Sequence, residues 1–213
     1  MKNKHHSIYK YESYYYRLGC KYIAGVDEVG RGSWAGPVVA AAVILPNNYK
    51  NNEIKDSKVL SAKKREQLDQ LIKQVCIAYS ISYVDAPRID EINILNATKE
   101  AMIHAIKNLS VKPNCILVDA LNLKVEHVKV VPIIKGDSKS ISIAAASIIA
   151  KVYRDKYCQQ IDKLYPQYGF AKNKCYGTLV HLNALKKYGC ITNIHRTSYK
   201  PVINALKKQK NIN

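Results

Sequence analysis

Acidic residues are scarce in this chain of 213 residues: sixteen Asp and Glu stand against thirty-four Lys and Arg, a formal charge of +18. Solubility alone does not call for so large an imbalance, and a polyanionic partner is the direct reading. Lys, Asn, Ile and Tyr are abundant throughout, as a coding bias would produce, which accounts for Lys over Arg but not for so few acids. From Lys151 onward thirteen basic residues meet only Asp155 and Asp162, so the excess gathers in the last third, as a binding face requires. Long apolar runs are missing too. None approaches the ~20 residues of a membrane span, and no charged, apolar and cleavable leader opens the chain. The six cysteines include no CxxC pair, which argues against a zinc framework or an evident disulfide scaffold and for reduced thiols. A soluble cytoplasmic protein without a membrane partner is expected. Internal repeats and low-complexity linkers are absent as well.

What is present is a core. With 47% hydrophobic and 23% charged residues, the chain suits one compact domain over 1–213, although its length also admits two. Residues 1–20 are polar and Tyr-rich ("YKYESYYYRLG"), which predicts a short helix packing its rings on the core after a polar start containing His5 and His6. "KYIAGVD", "PVVAAAVILP" and "VCIAYSISYV" read as strands, the last reached through a helix over 61–75. Apolar residues at helical spacing predict a helix over 89–109. The strands "CILVDA" and "VKVVPIIKGD" follow. The segment from Ser138 reads as a helix buried at its start and basic toward its end, capped by Ser138 or Asp137. Helices near 177–188 and 201–210 complete a mostly helical, basic part from about 160. This order predicts an α/β layer fold around a mixed sheet.

Three strands run into carboxylates: Asp27 with Glu28, Asp119, and Asp137. Acids converging on one sheet edge repel each other, and a divalent cation removes that penalty. Oxygen ligands without His or Cys favour Mg²⁺ or Mn²⁺, and four carboxylates can hold two ions about 3.5 to 4 Å apart for phosphodiester cleavage. Neighbouring residues of a regular strand face opposite ways, so Asp27 and Glu28 reach one site only if the strand ends or bends there. Gly30 and Gly32 supply the turn and let the backbone approach a phosphate or sugar. Taken singly, each acid is better read as a strand-end residue paired with a lysine. Three such sites together, in a chain this poor in acids, favour the metal.

In order, "GVDEVGRG", "AGPVVAAAVILP", "DSKVLSAKKREQL", "LVDA", "KGDSKSISIAAASIIAKVYRD", "YPQYGFAKNKCYGTLVH" and "HRTSYKPV" resemble the bacterial ribonuclease HII (type 2 ribonuclease H) family over about 11–202. The resemblance implies a ribonuclease H-like fold, a mixed five-stranded sheet flanked by helices with a mostly helical C-terminal region. It implies an Asp-Glu-Asp-Asp metal site on Asp27, Glu28, Asp119 and Asp137, and two Mg²⁺ or Mn²⁺ ions. It implies that Gly30, Arg31 and Gly32 read the ribonucleotide 2'-OH and that Tyr176 packs on the sugar. The implied activity is metal-dependent endonucleolytic cleavage of RNA in RNA/DNA hybrids and 5' to single ribonucleotides in duplex DNA. The products are a 3'-hydroxyl and a 5'-phosphate, in ribonucleotide and primer removal. Lys58, Lys151 and Arg154 stand at even odds between phosphate contacts and solvated charge.

The chain departs from the family pattern at Ser33 and Trp34 (usually Pro and Leu), Ala120 (usually Gly), Cys175 (usually Gly) and Tyr199 (usually Phe). A side chain at 175 is strained if that position needs positive φ. Ser147 reads as a packing residue, Asp155 as a support for the site or a partner of Lys156 or Arg154, and His195 and Arg196 as structural. Ribonuclease HIII, with its extra N-terminal domain, fits less well, since only about twenty residues precede the first strand. A non-catalytic hybrid binder is disfavoured by acids at all four positions. A monomer is expected; the sequence specifies no replication-clamp partner, and "LKKQKNIN" is a docking tail or a frayed end.

Overall fold

The computed structural model describes residues 7–210; His5, His6 and the final residues of "LKKQKNIN" lie outside them. Five strands, β1 (Ile23–Val29), β2 (Val38–Ile44), β3 (Ala78–Val84), β4 (Cys115–Asp119) and β5 (Lys129–Ile133), form a mixed sheet in the order β3-β2-β1-β4-β5. β1, β4 and β5 run parallel, with Ile23 opposite Cys115 and Cys115 opposite Lys129. The inner strands are buried almost continuously, β2 along its whole length, whereas β3 and β5 mix buried and accessible positions. An apolar run without alternation is what a strand covered on both faces requires.

Helices α1 (Lys10–Arg17), α2 (Ala62–Val75), α3 (Ala86–Lys107), α4 (Ile141–Leu164), α5 (Phe170–Asn173), α6 (Leu179–Tyr188) and α7 (Lys200–Lys210) complete the chain. The backbone divides into two compact units. The first comprises the chain through Val29, Ala40–Ser82 and Ala101–Val152; the second comprises Gly30–Val39, Tyr83–Glu100 and the chain from Tyr153.

In the first unit Tyr15 of α1 packs with Ile23, Cys115, Leu117, Ile133 and Ile143. Residues 141–150 of α4 are all buried, and their small side chains let the helix lie directly on β1. Gly25 completes this approach, because a Cβ there would run into the Ser142 backbone. The cap of α4 differs from expectation. Ser140 Oγ accepts the Ile143 N–H at 3.2 Å, while buried Glu12 of α1 accepts from Ser140 Oγ at 2.5 Å and from the Ser142 N–H at 3.0 Å. A carboxylate brought from elsewhere in the chain thus satisfies a helix N-terminus, which local spacing cannot reveal.

The helix expected over 89–109 spans Ala86–Lys107 and breaks at Asn93, which has φ 65°. Asn93 Oδ1 accepts the N–H groups of Leu95 and Asn96 at 3.0 and 3.1 Å, so this residue starts a second helix inside an unbroken apolar rhythm. The core of the second unit groups Ala35, Cys158, Tyr168, Phe170, Cys175 and Leu185 with residues of α7.

Candidate active site

The acids singled out in the sequence gather within the first unit. Asp27 is 5% exposed, and β1 continues through it and Glu28 to Val29, so the expected strand end at the pair is displaced. The ladder to β4 pairs residues only as far as Val26 with Val118; the pair lies beyond those rungs, and the sharp turn follows at Gly30, φ +95°. Asp27 Oδ1 accepts the Glu28 N–H at 2.8 Å. Burial holds the Asp27 carboxyl well above its ordinary pKa, and the charges of Glu28 and Asp119 push the same way against a hydrogen bond from Ser147.

Asp119 ends β4, and its Oδ1 accepts the Gly136 N–H at 2.6 Å. Its pKa is raised by burial and by the charge of Asp137, with the Gly136 bond opposing. Asp137 is buried in a 3-10 turn, and its Oδ2 receives Lys58 Nζ at 3.0 Å. That bond raises the Lys58 pKa, although four-fifths of its side chain is exposed (78%).

Lys58 reaches the acids because Asp56 Oδ1 accepts its N–H at 2.9 Å in the "DSK" turn. In the same turn Ser57 Oγ bonds Ser147 Oγ at 3.0 Å, both buried. Ser147 is therefore more than a packing residue: it joins Ser57 to Asp27. Its position in "DSK…AAAS" carried no signal of this. Lys151 is half-buried on α4.

Among the described residues, no three His, Cys, Asp or Glu side chains stand close enough to hold a metal ion as placed. The fit to a hard divalent cation rests on donor chemistry and charge: four carboxylates, burial and then mutual repulsion raising Asp27 and Asp119, and one lysine as counter-charge.

The second unit contains the glycine loop and Tyr176 together. A Cβ on Gly32 would lie 3.8 Å from the Tyr176 ring, and one on Gly30 would collide with the Arg154 side chain. Tyr176 is 39% exposed, and the Arg154 guanidinium lies 5.7 Å from its ring centre.

Arg154 corrects an expectation. It is fully buried and donates to the carbonyls of Pro37 (3.1 Å), Ala35 (3.2 Å) and Lys174 (2.9 Å), so it is not a phosphate contact. The buried guanidinium is held because its forked donors find main-chain carbonyl acceptors. Arg196, also buried, donates from Nε to the Gly36 carbonyl and from Nη1 to the Arg31 carbonyl, each at 2.9 Å.

Two buried imidazoles support the Tyr176 backbone. The Ile191 N–H donates to His195 Nδ1 at 2.8 Å, so the His195 proton sits on Nε2 and is donated to His181 Nε2 at 3.1 Å. His181 in turn donates from Nδ1 to the Tyr176 carbonyl at 3.0 Å. The donor pattern assigns both tautomers and requires both rings to be neutral. Burial lowers both pKa values, and the neighbouring His181 helps bring His195 to about 4. A depressed His pKa contributes stability above its unfolded value near 6.5, which is lost as pH falls toward 4. Acidification from pH 7 to 4.5 is therefore expected to cost about 2 kcal/mol through His195. Urea midpoints of the wild type and His195→Gln across this range test it; parallel pH curves would refute the assignment.

A model of the ribonuclease HII family matches residues 24–202. The chain belongs to the ribonuclease HII family. It is 56% identical over 189 residues to a ribonuclease HII of Caldanaerobacter subterraneus, covering 89% of this chain and 78% of that one. A ribonuclease HII of Ruminiclostridium cellulolyticum is 52% identical over 206 residues, 93% of this chain and 80% of the relative. Among solved structures, the ribonuclease H2 of Pyrococcus horikoshii aligns with TM-score 0.75 at 27% identity, covering 89% of this chain and 99% of that one. An Archaeoglobus fulgidus ribonuclease HII solved as a complex with PCNA aligns with TM-score 0.70 at 27% identity, covering 86% and 96%. The protein is a ribonuclease H enzyme.

Two positions where the resemblance implies Gly have positive φ. Ala120 and Cys175 have φ 51° and 65°, the left-handed region that Gly adopts freely, so each carries strain of about 1 kcal/mol. Trp34 lies where a Cβ on Gly177 would strike its indole, so Gly177 makes room for the larger ring. Among the described residues no helix is long and apolar enough to cross a membrane.

Proposed function

We propose that the enzyme, as one catalytic domain, cuts the RNA strand of RNA/DNA hybrids and incises duplex DNA 5' to single embedded ribonucleotides, leaving 3'-hydroxyl and 5'-phosphate ends. The observation that carries this reading is the group of acids around buried Asp27, whose charge is opposed by Glu28 and Asp119 while Asp137 depends on Lys58. Asp27, Glu28, Asp119 and Asp137 would hold two Mg²⁺ or Mn²⁺ ions, which when bound supply an activated water and stabilise the departing 3'-oxygen.

The protein's own groups do the positioning. Ser147 fixes Asp27, and the Gly136 N–H fixes one oxygen of Asp119. Lys58 and Lys151 are assigned to backbone phosphates, which makes binding weaken as salt rises. Gly30, Arg31 and Gly32 are assigned to the 2'-OH, with main-chain groups able to come close because two of the three residues lack side chains. Tyr176, partly exposed beside Gly32, offers a ring face to the sugar.

The deciding experiment is cleavage of a labelled DNA duplex containing one ribonucleotide, with Mg²⁺, Mn²⁺ or EDTA, and mapping of both ends. The expected result is a metal-dependent cut 5' to the ribonucleotide with a 3'-hydroxyl. Cutting confined to longer RNA tracts would overturn the junction assignment. Undiminished cutting in EDTA would overturn the metal assignment.

A further inference from the structure

Tyr199 stands where the family pattern has Phe, and its hydroxyl is engaged. It accepts from Arg196 Nη1 at 3.0 Å and donates to the Arg31 carbonyl at 2.7 Å. The Arg31 carbonyl thus receives two donors, since Arg196 Nη1 also reaches it at 2.9 Å. The three groups close a triangle, anchored by the Arg196 N–H on the Trp34 carbonyl at 2.8 Å and the Tyr199 N–H on the Arg196 carbonyl at 3.1 Å.

The consequence lies in the peptide between Arg31 and Gly32. A trans peptide is planar, and its C=O and N–H point in opposite directions. Holding the carbonyl with two donors therefore fixes where the Gly32 N–H points, away from Arg196 and Tyr199. Arg31 and Gly32 are both exposed, and Gly32 lies beside the Tyr176 ring. A loop residue without a side chain would otherwise rotate its peptide planes at little cost.

We infer that Tyr199 is a positioning residue for ribose recognition: its hydroxyl locks the Arg31–Gly32 peptide plane and aims the Gly32 N–H. This rests on the reading of Gly30–Gly32 as the loop that meets the 2'-OH. It goes beyond that reading because the locking hydroxyl is a feature of this chain, absent where the position is Phe.

The test is Tyr199→Phe, which removes one oxygen and restores the family residue, so folding is preserved and a thermal melt verifies it. Two readouts are needed. Amide hydrogen exchange over 31–33, on the protein without substrate, reports the lock directly. Steady-state cleavage of a duplex with one ribonucleotide, compared with a long hybrid, reports recognition. The variant is expected to exchange faster at Gly32 and to raise KM for the single ribonucleotide about three- to tenfold, the range of one net hydrogen bond, with kcat nearly unchanged. The long hybrid, with many equivalent ribonucleotides, is expected to change less.

Unchanged exchange would overturn the lock. Faster exchange with unchanged KM would overturn its role in recognition. Failure of the underlying reading is distinguished by Gly32→Ala: if that variant still selects ribose over deoxyribose as the wild type does, the loop is not the reader, whatever Tyr199→Phe does.

Discussion

Asp27→Asn is expected to abolish cleavage, lowering kcat at least a thousandfold, about 4 kcal/mol in barrier, while the variant still binds hybrid. The substitution keeps the shape and removes the charge. The Asn oxygen can still accept the Glu28 N–H, and its amide group can still hydrogen-bond the Ser147 hydroxyl, so the local polar contacts can be kept. What is lost is the anionic oxygen that a divalent cation requires. A second readout separates this from unfolding. The wild-type carboxylate is buried and opposed by Glu28 and Asp119, so its folded pKa lies above the unfolded value and its charge destabilises the metal-free protein at neutral pH. The variant in EDTA is therefore expected to be more stable than wild type at pH 7, with the difference shrinking as pH falls and Asp27 gains its proton. Cleavage within tenfold of wild type would remove Asp27 from the chemistry. A large loss of both activity and stability would instead make it a structural residue.

Gly25→Ala is expected to be the most damaging single methyl in the first unit. The added Cβ meets main-chain atoms of Ser142 and the adjacent Ile143 N–H, and no rotamer change can move a backbone aside. The contact joins β1 to the most buried stretch of α4, so relief requires lifting the helix from the strand. Overpacking in cores costs about 1 to 3 kcal/mol when side chains can yield, and a value at or above the upper end is expected here. Because Asp27 follows two residues later on the same strand, activity should fall along with the urea midpoint. A variant as stable as wild type would mean that α4 does not lie on β1 as described.

The strands and the four acids were legible in the sequence for a shared physical reason. A covered strand must be apolar along its length, and a carboxylate at its end stands out against that run, especially in a chain with few acids. The buried start of α4 was legible too, as an Ala-rich segment turning basic. Other features left no local trace. Arg154 has the same composition and spacing whether it faces solvent or donates into a loop, and only the fold decides between them. Asn93 interrupts α3 without disturbing the apolar rhythm, because its side chain replaces one helix by the cap of the next. Ser147 and Glu12 act through partners far away in sequence, on Ser57 and at the start of α4.

The buried arginines also bear on how this loop can vary between relatives. Arg154 and Arg196 grip the carbonyls of Arg31, Ala35, Gly36 and Pro37, and the Arg196 N–H takes that of Trp34. Every residue type carries the same carbonyl, so the grip is blind to what each position displays. Ser33 and Trp34 could thus replace the usual Pro and Leu without reshaping the main chain. Within the limits that packing sets at Gly30, Ala35 and Gly36, side chains along the loop can vary under this grip, while a change at either arginine would release all the carbonyls it holds at once.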